Sequence, residues 1–200
     1  VEQAKFTAPA VTIIGGVVKL RGKLNWFERR PLFGQRIVVT RTREQASELA
    51  HQLAELGADV LEIPTIKITA PSKREMLAEA MGGLGTYQWI VFTSPNGVTS
   101  FFDYFFKAFD DIRGLGCVRL AAVGPATAAK LAELHLSVDA MPDKYVAKDI
   151  AKAIAEKDDL ENLRVLLLRD EVANAELPML LDDAGAIVDD VAVYQTVPET

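Results

Sequence analysis

From Arg36 onward, short runs of β-branched and aliphatic residues alternate with stretches whose apolar residues recur at helical spacing, and this constrains the fold more than any other feature. Strands that are apolar on both faces, each followed by a helical pattern, imply a parallel sheet covered by helices and joined by right-handed crossovers. Residues 37–40 read as a strand. Thr42 and Gln45 then stand at capping-box spacing ahead of Ala46, Leu49, Ala50, Leu53 and Leu56, and Gly57 ends the helix. Residues 58–63 are the next strand, which Pro64 stops, and residues 65–69 alternate polar with apolar side chains as a half-exposed strand does.

The second block, residues 71–190, predicts helices at 74–82, 98–106, 126–134, 147–155 and 174–183. Strands are predicted at 89–92, 118–123, 138–140, 165–168 and 186–193. That set completes a small doubly wound domain, which the chain enters through 65–69 and leaves through 193–197, so the two connectors are expected to pair as a bridge. The first block holds a single strand-helix-strand unit and cannot bury both faces of a sheet alone. The expected fold class is α/β: two flavodoxin-like parallel-sheet domains joined by a two-stranded linker, the first domain incomplete. The expected segments are a tail and linker at 1–33, part of the first domain at 34–66, the second domain at 67–193 and a returning linker strand at 194–200. Residues 11–18 are β-rich, an edge strand being one reading of them, and residues 31–35 predict a linker. The chain starts at Val1 and stops at Pro-Glu-Thr, from which a fragment of a longer protein is expected.

Half of the residues are apolar and only 8% aromatic, which suits an aliphatic core in a soluble chain. The net charge of -6 argues against a nucleic-acid partner, so any anionic ligand has to be held by local donors. The lone Cys117 excludes an internal disulfide, and His51 and His135, both expected on helix surfaces, lack metal-ligand spacing. No bound metal and a reducing cytoplasm follow as expectations. Apolar runs fall short of the ~18 residues of a spanning helix, and the N-terminus carries no basic-then-apolar export pattern, so no membrane is expected.

In an open parallel sheet, ligands bind beyond the carboxyl ends of the strands. The junctions there are Thr40-Arg41-Thr42-Arg43, Thr93-Ser94-Pro95-Asn96-Gly97, Gly124-Pro125-Ala126-Thr127 and Arg169-Asp170-Glu171. The first three put small or hydroxyl residues where the free N–H groups of a helix start would hold an anion. Candidate ligand-binding residues are therefore Thr40, Arg41, Thr93, Ser94, Asn96, Gly97, Gly124, Thr127 and Arg169. Each also has an ordinary reading: Ser94 and Thr127 as caps, Gly97 and Gly124 as turn residues, Arg41 and Arg169 as surface charges. No Gly-Lys-Ser/Thr loop, dinucleotide glycine fingerprint or Gly-x-Ser-x-Gly elbow occurs. The carboxylate pairs at 110–111, 158–159, 182–183 and 189–190 are expected to be solvated element ends. Tyr194 reads either as a strand aromatic covering the core or as a phenol facing a ligand, protonated at neutral pH and able to donate a proton.

Four pieces, Val38-Val39-Thr40-Arg41, Val91-Phe92-Thr93-Ser94-Pro95-Asn96-Gly97-Val98, Ala122-Val123-Gly124-Pro125-Ala126-Thr127-Ala128 and Val193-Tyr194-Gln195-Thr196-Val197, resemble uroporphyrinogen-III synthase in order and spacing. The resemblance runs from about Gly34 to Thr200. Pro9-Ala10-Val11-Thr12-Ile13-Ile14-Gly15 and Leu24-Asn25-Trp26-Phe27-Glu28 are similar to the C-terminal tail of uroporphyrinogen-III C-methyltransferase, which implies an upstream fused methyltransferase; an ordinary edge strand and tail is the alternative.

The synthase resemblance implies two similar α/β domains, one inserted in the other, with the substrate in the cleft between them. It implies a cofactor-independent lyase that closes the linear tetrapyrrole hydroxymethylbilane to uroporphyrinogen III with ring D reversed, through an azafulvene and a spiro intermediate. Positioning is then expected to supply most of the acceleration. By motif, Tyr194 is the implied proton donor to the departing hydroxyl, and Thr93, Ser94, Asn96, Gly97, Gly124 and Thr127 line the cleft. The family continues beyond the returning strand, so weak binding and slow turnover are expected of a chain ending at Thr200. A non-catalytic flavodoxin-like ligand-binding or sensor module is the competing class, ahead of an oxidoreductase or methyltransferase using a nucleotide-like cofactor.

Overall fold

The computed structural model describes residues 11–144 and 146–199, so Pro9 and Ala10 of the tail motif lie outside the described residues. The chain divides into two compact units, Val1–Thr65 and Ile66–Thr200.

The first unit does not form the strand expected over 11–18. Gly15 takes the left-handed φ of 122°, a tight 3₁₀ turn covers Gly16–Leu20, and helix α1, Arg21–Leu24, follows. Val17 and Val18 stay exposed, because no described strand pairs with this run and its β propensity has no ladder to complete. Residues 31–35 are not a free linker either. The Leu32 N–H donates to the Leu56 carbonyl at 2.9 Å, the Gln35 carbonyl accepts from Asp59 N–H at 2.9 Å, and the Arg30 guanidinium lies over the rings of Trp26 and Phe27. The strand-helix-strand unit forms as expected: β1, Arg36–Val39, pairs in parallel with β2, Asp59–Glu62, across helix α2, Arg43–Glu55. Thr42 is the N-cap residue, but its side chain makes no capping hydrogen bond and is buried instead. Gly57 ends the helix turn at φ 98°, where an added Cβ would stand 2.7 Å from the Cβ of Arg30.

The second unit runs β3 Ile66–Thr69, α3 Arg74–Gly82, β4 Trp89–Phe92, α4 Pro95–Ala108, β5 Arg119–Ala122, α5 Pro125–Ala132, α6 Ala147–Ala155, β6 Arg164–Asp170, α7 Glu176–Asp183 and β7 Ile187–Pro198. The sheet order is β3-β7-β6-β4-β5, parallel except for β3. The strand expected at 138–140 shrinks to one bridge between Ala121 and Ala140, since Pro142 removes the donor that would continue its ladder. Counted from β4 with that bridge included, the order is 3-2-1-4-5. The flavodoxin order 2-1-3-4-5 appears only when counting begins at β6, so in chain order the second unit does not follow it.

Side-chain alternation splits the core in two. Ile90 and Phe92 face a layer containing Leu77, Phe101 and Leu131 of α3, α4 and α5, whereas Trp89 and Val91 face Ile150, Ile154, Leu177 and Leu181 of α6 and α7. In the first layer Phe92 meets Phe101 edge-on at 5.5 Å, and Phe101, Phe102 and Phe105 interlock along α4. Each such buried ring contributes roughly 2–3 kcal/mol by transfer from water. β7 outruns the sheet: its first part lies on β6, and residues 195–198 pair antiparallel with β3, forming the two-stranded bridge read from the sequence.

Candidate functional site

From β4 the chain steps to β5 on one side, and from β6 it steps to β7 on the other. The carboxyl ends of β4 and β6 therefore mark a topological switch point, the place where open α/β sheets bind ligands. Thr93 follows β4 there and gives both its N–H and its hydroxyl to the Leu168 carbonyl, at 3.3 and 3.2 Å. Ser94 comes next as the N-cap of α4, in extended conformation, its Oγ accepting the Gly97 N–H at 3.0 Å. Pro95 fills the first helical position, where the absent N–H is no loss.

Tyr194 reaches this corner because β7 carries an irregularity. Arg169 pairs with Ala192, but Asp170 pairs with Tyr194, which leaves Val193 as an extra residue. A bulge of this kind resets the alternation of faces. Val191, Val193 and Tyr194 consequently all join the cluster that holds Phe92, Val98 and Leu168. The phenol lies under the first turn of α4, with its oxygen 2.9 Å from Ser94 Oγ. A Cβ added at Gly97 would come 3.4 Å from Ser94 Oγ and 3.9 Å from Tyr194 Cε1, so the helix start sits directly on the pair. Tyr194 is only 6% exposed, packed rather than presented to solvent. Burial pushes its hydroxyl above the usual phenol pKa near 10; the Ser94 hydrogen bond opposes this, and the Asp170 carboxylate adds to it.

Other expected residues gather at the same edge to different degrees. Asn96 is half-buried in the first turn of α4, and Gly124 is the N-cap of α5, a second helix with Pro at its first position, beside α4 because β5 adjoins β4. Thr127 is buried, with its N–H on the Gly124 carbonyl at 3.1 Å, so it supports the start of α5 from within. Arg169 is turned away. Its Nε donates to Asp190 at 2.6 Å, its other nitrogens reach Asp190 and the Asn174 carbonyl, and its side chain is 11% exposed, so its charge is already matched. Thr40 and Arg41 belong to the first unit, where both are exposed and the Thr40 carbonyl accepts from the N–H and hydroxyl of Thr65.

The rim also contains contacts that the sequence does not point to: Asp170, Glu171, Gln195 and Thr196 stand in the junction and motif segments but not among the candidate binding residues, and Ser72 stands in neither. Asp170 accepts from the Thr196 hydroxyl at 2.5 Å, Gln195 donates to the Ala70 carbonyl at 2.9 Å, and Glu171 accepts from both the N–H and hydroxyl of Ser72. The Ser72 bonds hold the Glu171 carboxyl below its usual range. Partners 26 and 99 residues apart in sequence leave no local pattern to read.

Of the acidic pairs, Asp110, Asp111, Asp159, Asp182 and Asp183 are exposed as expected, whereas Asp158, Asp189 and Asp190 are not. Asp189 is half-buried between Tyr87 Oη at 2.6 Å and Arg164 at 2.7 Å, Asp190 holds Arg169, and Asp158 accepts from Trp89 Nε1 and Arg119. They are not solvated ends, because each is the partner of a cation or aromatic donor on a neighbouring element. His135 is likewise not on a helix face but in a left-handed turn at φ 59° after α5. Among the described residues no group of three or more His, Cys, Asp or Glu is placed to hold a metal, and no helix is long and apolar enough to cross a membrane.

Residues 47–200 match the family described as uroporphyrinogen-III synthase HemD. The chain is 34% identical to the porphyrin biosynthesis protein HemD of Ruminiclostridium josui over 97% of its own length and 38% of that protein. It is 31% identical to the uroporphyrinogen-III C-methyltransferase of Bacillus subtilis over 72% of its own length and 29% of that protein. The chain thus spans well under half the length of these curated relatives. A crystal structure of a mutant uroporphyrinogen III synthase from Thermus thermophilus has the same fold at TM-score 0.60 and 19% identity, over 83% of this chain and 64% of that one.

Proposed function

The chain belongs to the uroporphyrinogen-III synthase HemD family, and on that premise we propose that it closes hydroxymethylbilane to uroporphyrinogen III with inversion of ring D, as a lyase without a cofactor. The observation that carries this reading is the Ser94–Tyr194 hydroxyl pair at the switch-point rim, under the first turn of α4. The starts of α4 and α5 offer backbone donors and the positive ends of two helix dipoles to the acetate and propionate carboxylates of a bilane. In this reading Ser94, Asn96 and Gly124 meet those carboxylates, Thr93 and Gly97, whose donors are taken by Leu168 and Ser94, shape the rim, and Tyr194 is the source of the proton that leaves with the terminal hydroxyl. Holding the bilane folded, end against end, is the larger contribution, since orientation alone can convert a slow closure into a fast one.

The test is Tyr194→Phe, with the type I and type III products separated after incubation with hydroxymethylbilane. Expected is a loss of type III formation of about 100-fold, the usual weight of one general acid, with substrate affinity retained. Unchanged type III output from the variant overturns the role given to Tyr194.

The 6% exposure of Tyr194 favours a second reading, a non-catalytic ligand-binding or sensor module in which the phenol is a core residue. Such a module binds a bilane without releasing type III product, and the wild-type chain in the same assay separates the two. The similarity to a protein named as a C-methyltransferase is consistent with a further reading, a fused polypeptide with an upstream methyltransferase whose tail is residues 1–33, working in the cytoplasm. Methyl transfer from S-adenosylmethionine to uroporphyrinogen III by the natural polypeptide is its test.

A further inference from the structure

We propose that Ser94 is the group that hands the proton to the departing hydroxyl, and that Tyr194 stands behind it as the proton's source, the two forming a relay. This rests on the synthase reading above. A serine hydroxyl has two acceptor positions and one proton. The Gly97 N–H occupies one acceptor position of Ser94 Oγ, and the Tyr194 oxygen lies 2.9 Å away. If Tyr194 donates into the second position, the Ser94 proton is left to point out of the rim, where Ser94 is half-buried. In the reverse orientation the phenol proton would lose Ser94, the described hydrogen-bond partner of Tyr194 Oη, and a donor buried without a partner costs free energy. Tyr194 is packed within the cluster of Phe92, Val98 and Val193 at 6% exposure, whereas Ser94 is half-buried at the rim and is the better placed of the two to meet a tetrapyrrole.

The step balances. The terminal C–O bond of the bilane breaks, and its electron pair leaves with the hydroxyl oxygen. That oxygen takes the Ser94 proton and departs as water, Ser94 Oγ takes the Tyr194 proton, and the pyrrole end becomes the cationic azafulvene. Tyr194 remains as phenolate, facing the renewed Ser94 O–H, and recovers a proton when closure of the macrocycle releases one from ring D. The burial that keeps the phenol protonated and the Ser94 bond that favours the phenolate act in the two directions such a relay needs.

Ser94→Ala removes both cap and relay, so Ser94→Asn is the sharper variant, because its amide oxygen still accepts from Gly97 N–H but an amide does not pass a proton. Ser94→Thr retains both functions. Expected is type III formation reduced about 100-fold in Ser94→Asn and in Tyr194→Phe, within threefold of wild type in Ser94→Thr, with KM little changed, and a double variant no slower than either single one. The reaction rate in H₂O–D₂O mixtures should curve with deuterium fraction in wild type, as two moving protons require, and be linear in Tyr194→Phe. Near-wild-type activity of Ser94→Asn, or additive losses in the double variant, overturns the relay while leaving the synthase reading intact. A natural polypeptide containing this chain that forms no type III product overturns that reading and the relay with it. Independently of turnover, the ¹³Cζ resonance of Tyr194 should titrate at higher pH in Ser94→Ala than in wild type, and an unmoved titration removes the hydrogen bond on which the relay stands.

Discussion

At the residue scale, one inserted position decides what the site contains. With Val193 accommodated in a bulge, Tyr194 shares the face of Phe92 and Leu168; in unbroken alternation it would lie on the opposite face, with Val188 and Asp190. On that opposite face Asp190 closes the charge of Arg169. Asp190→Asn should destabilise the protein by about 2 kcal/mol in thermal unfolding, less than for a fully buried pair because Asp190 is one-third exposed. At the amino end of the sheet, Tyr87 donates to Asp189 while Arg164 lies over its ring. Burial, then the bond to Asp189, raises the Tyr87 pKa far above its ordinary value. A raised folded-state pKa gives stability that is complete below pH 10 and is lost as pH rises through the folded value. Denaturant unfolding of Tyr87→Phe between pH 9 and pH 11.5 should therefore show a shallower decline than wild type, and parallel curves would exclude this coupling.

At the element scale, what the sequence made legible was periodic and what it hid was pairwise. The stretches at β4, α3 and α6 were readable to the residue, because apolar spacing and flanking breakers define them without help from the rest of the chain. Residues 11–18 misled, since β-branched composition reports a preference that only a neighbouring strand can realise. Apolar spacing starts α4 at 98, three residues after its true start at Pro95, because the N-cap bond from Gly97 to Ser94 precedes the first apolar helical position. The switch-point rim was legible as a list of junctions, but the bulge, the Ser94–Tyr194 bond and the Ser72–Glu171 clamp depend on partners far apart in sequence. Helix α4 offers the clearest energetic check. Phe101 is fully buried against Phe92, Phe102 and Phe105, so Phe101→Ala should destabilise the second unit by about 3–5 kcal/mol in urea unfolding, with any loss of bilane binding following the loss of folded protein.

At the scale of the whole molecule, the two units differ in how completely they bury their sheets. The second encloses β4 and β6 between helical layers, and Ile90, Val91, Leu166 and Leu167 are fully buried. The first has only β1 and β2, with Val38, Leu61 and Ile63 each about half exposed among its described residues. A two-stranded sheet with an open apolar face is marginal in water, and local opening free energies follow burial. Amide hydrogen exchange should resolve this as two populations, the amides of β1 and β2 exchanging early and those of β4 and β6 only through global unfolding of the second unit. Addition of hydroxymethylbilane should slow exchange most at Thr93, Ser94 and Gly97, because a ligand held at the rim stabilises the state that holds it. Equal protection of β1 and β4 would mean that the first unit draws its stability from more than its own two strands. Protection by the bilane that spared the α4 start would move the binding site away from the switch point, and with it the chemistry assigned to Ser94 and Tyr194.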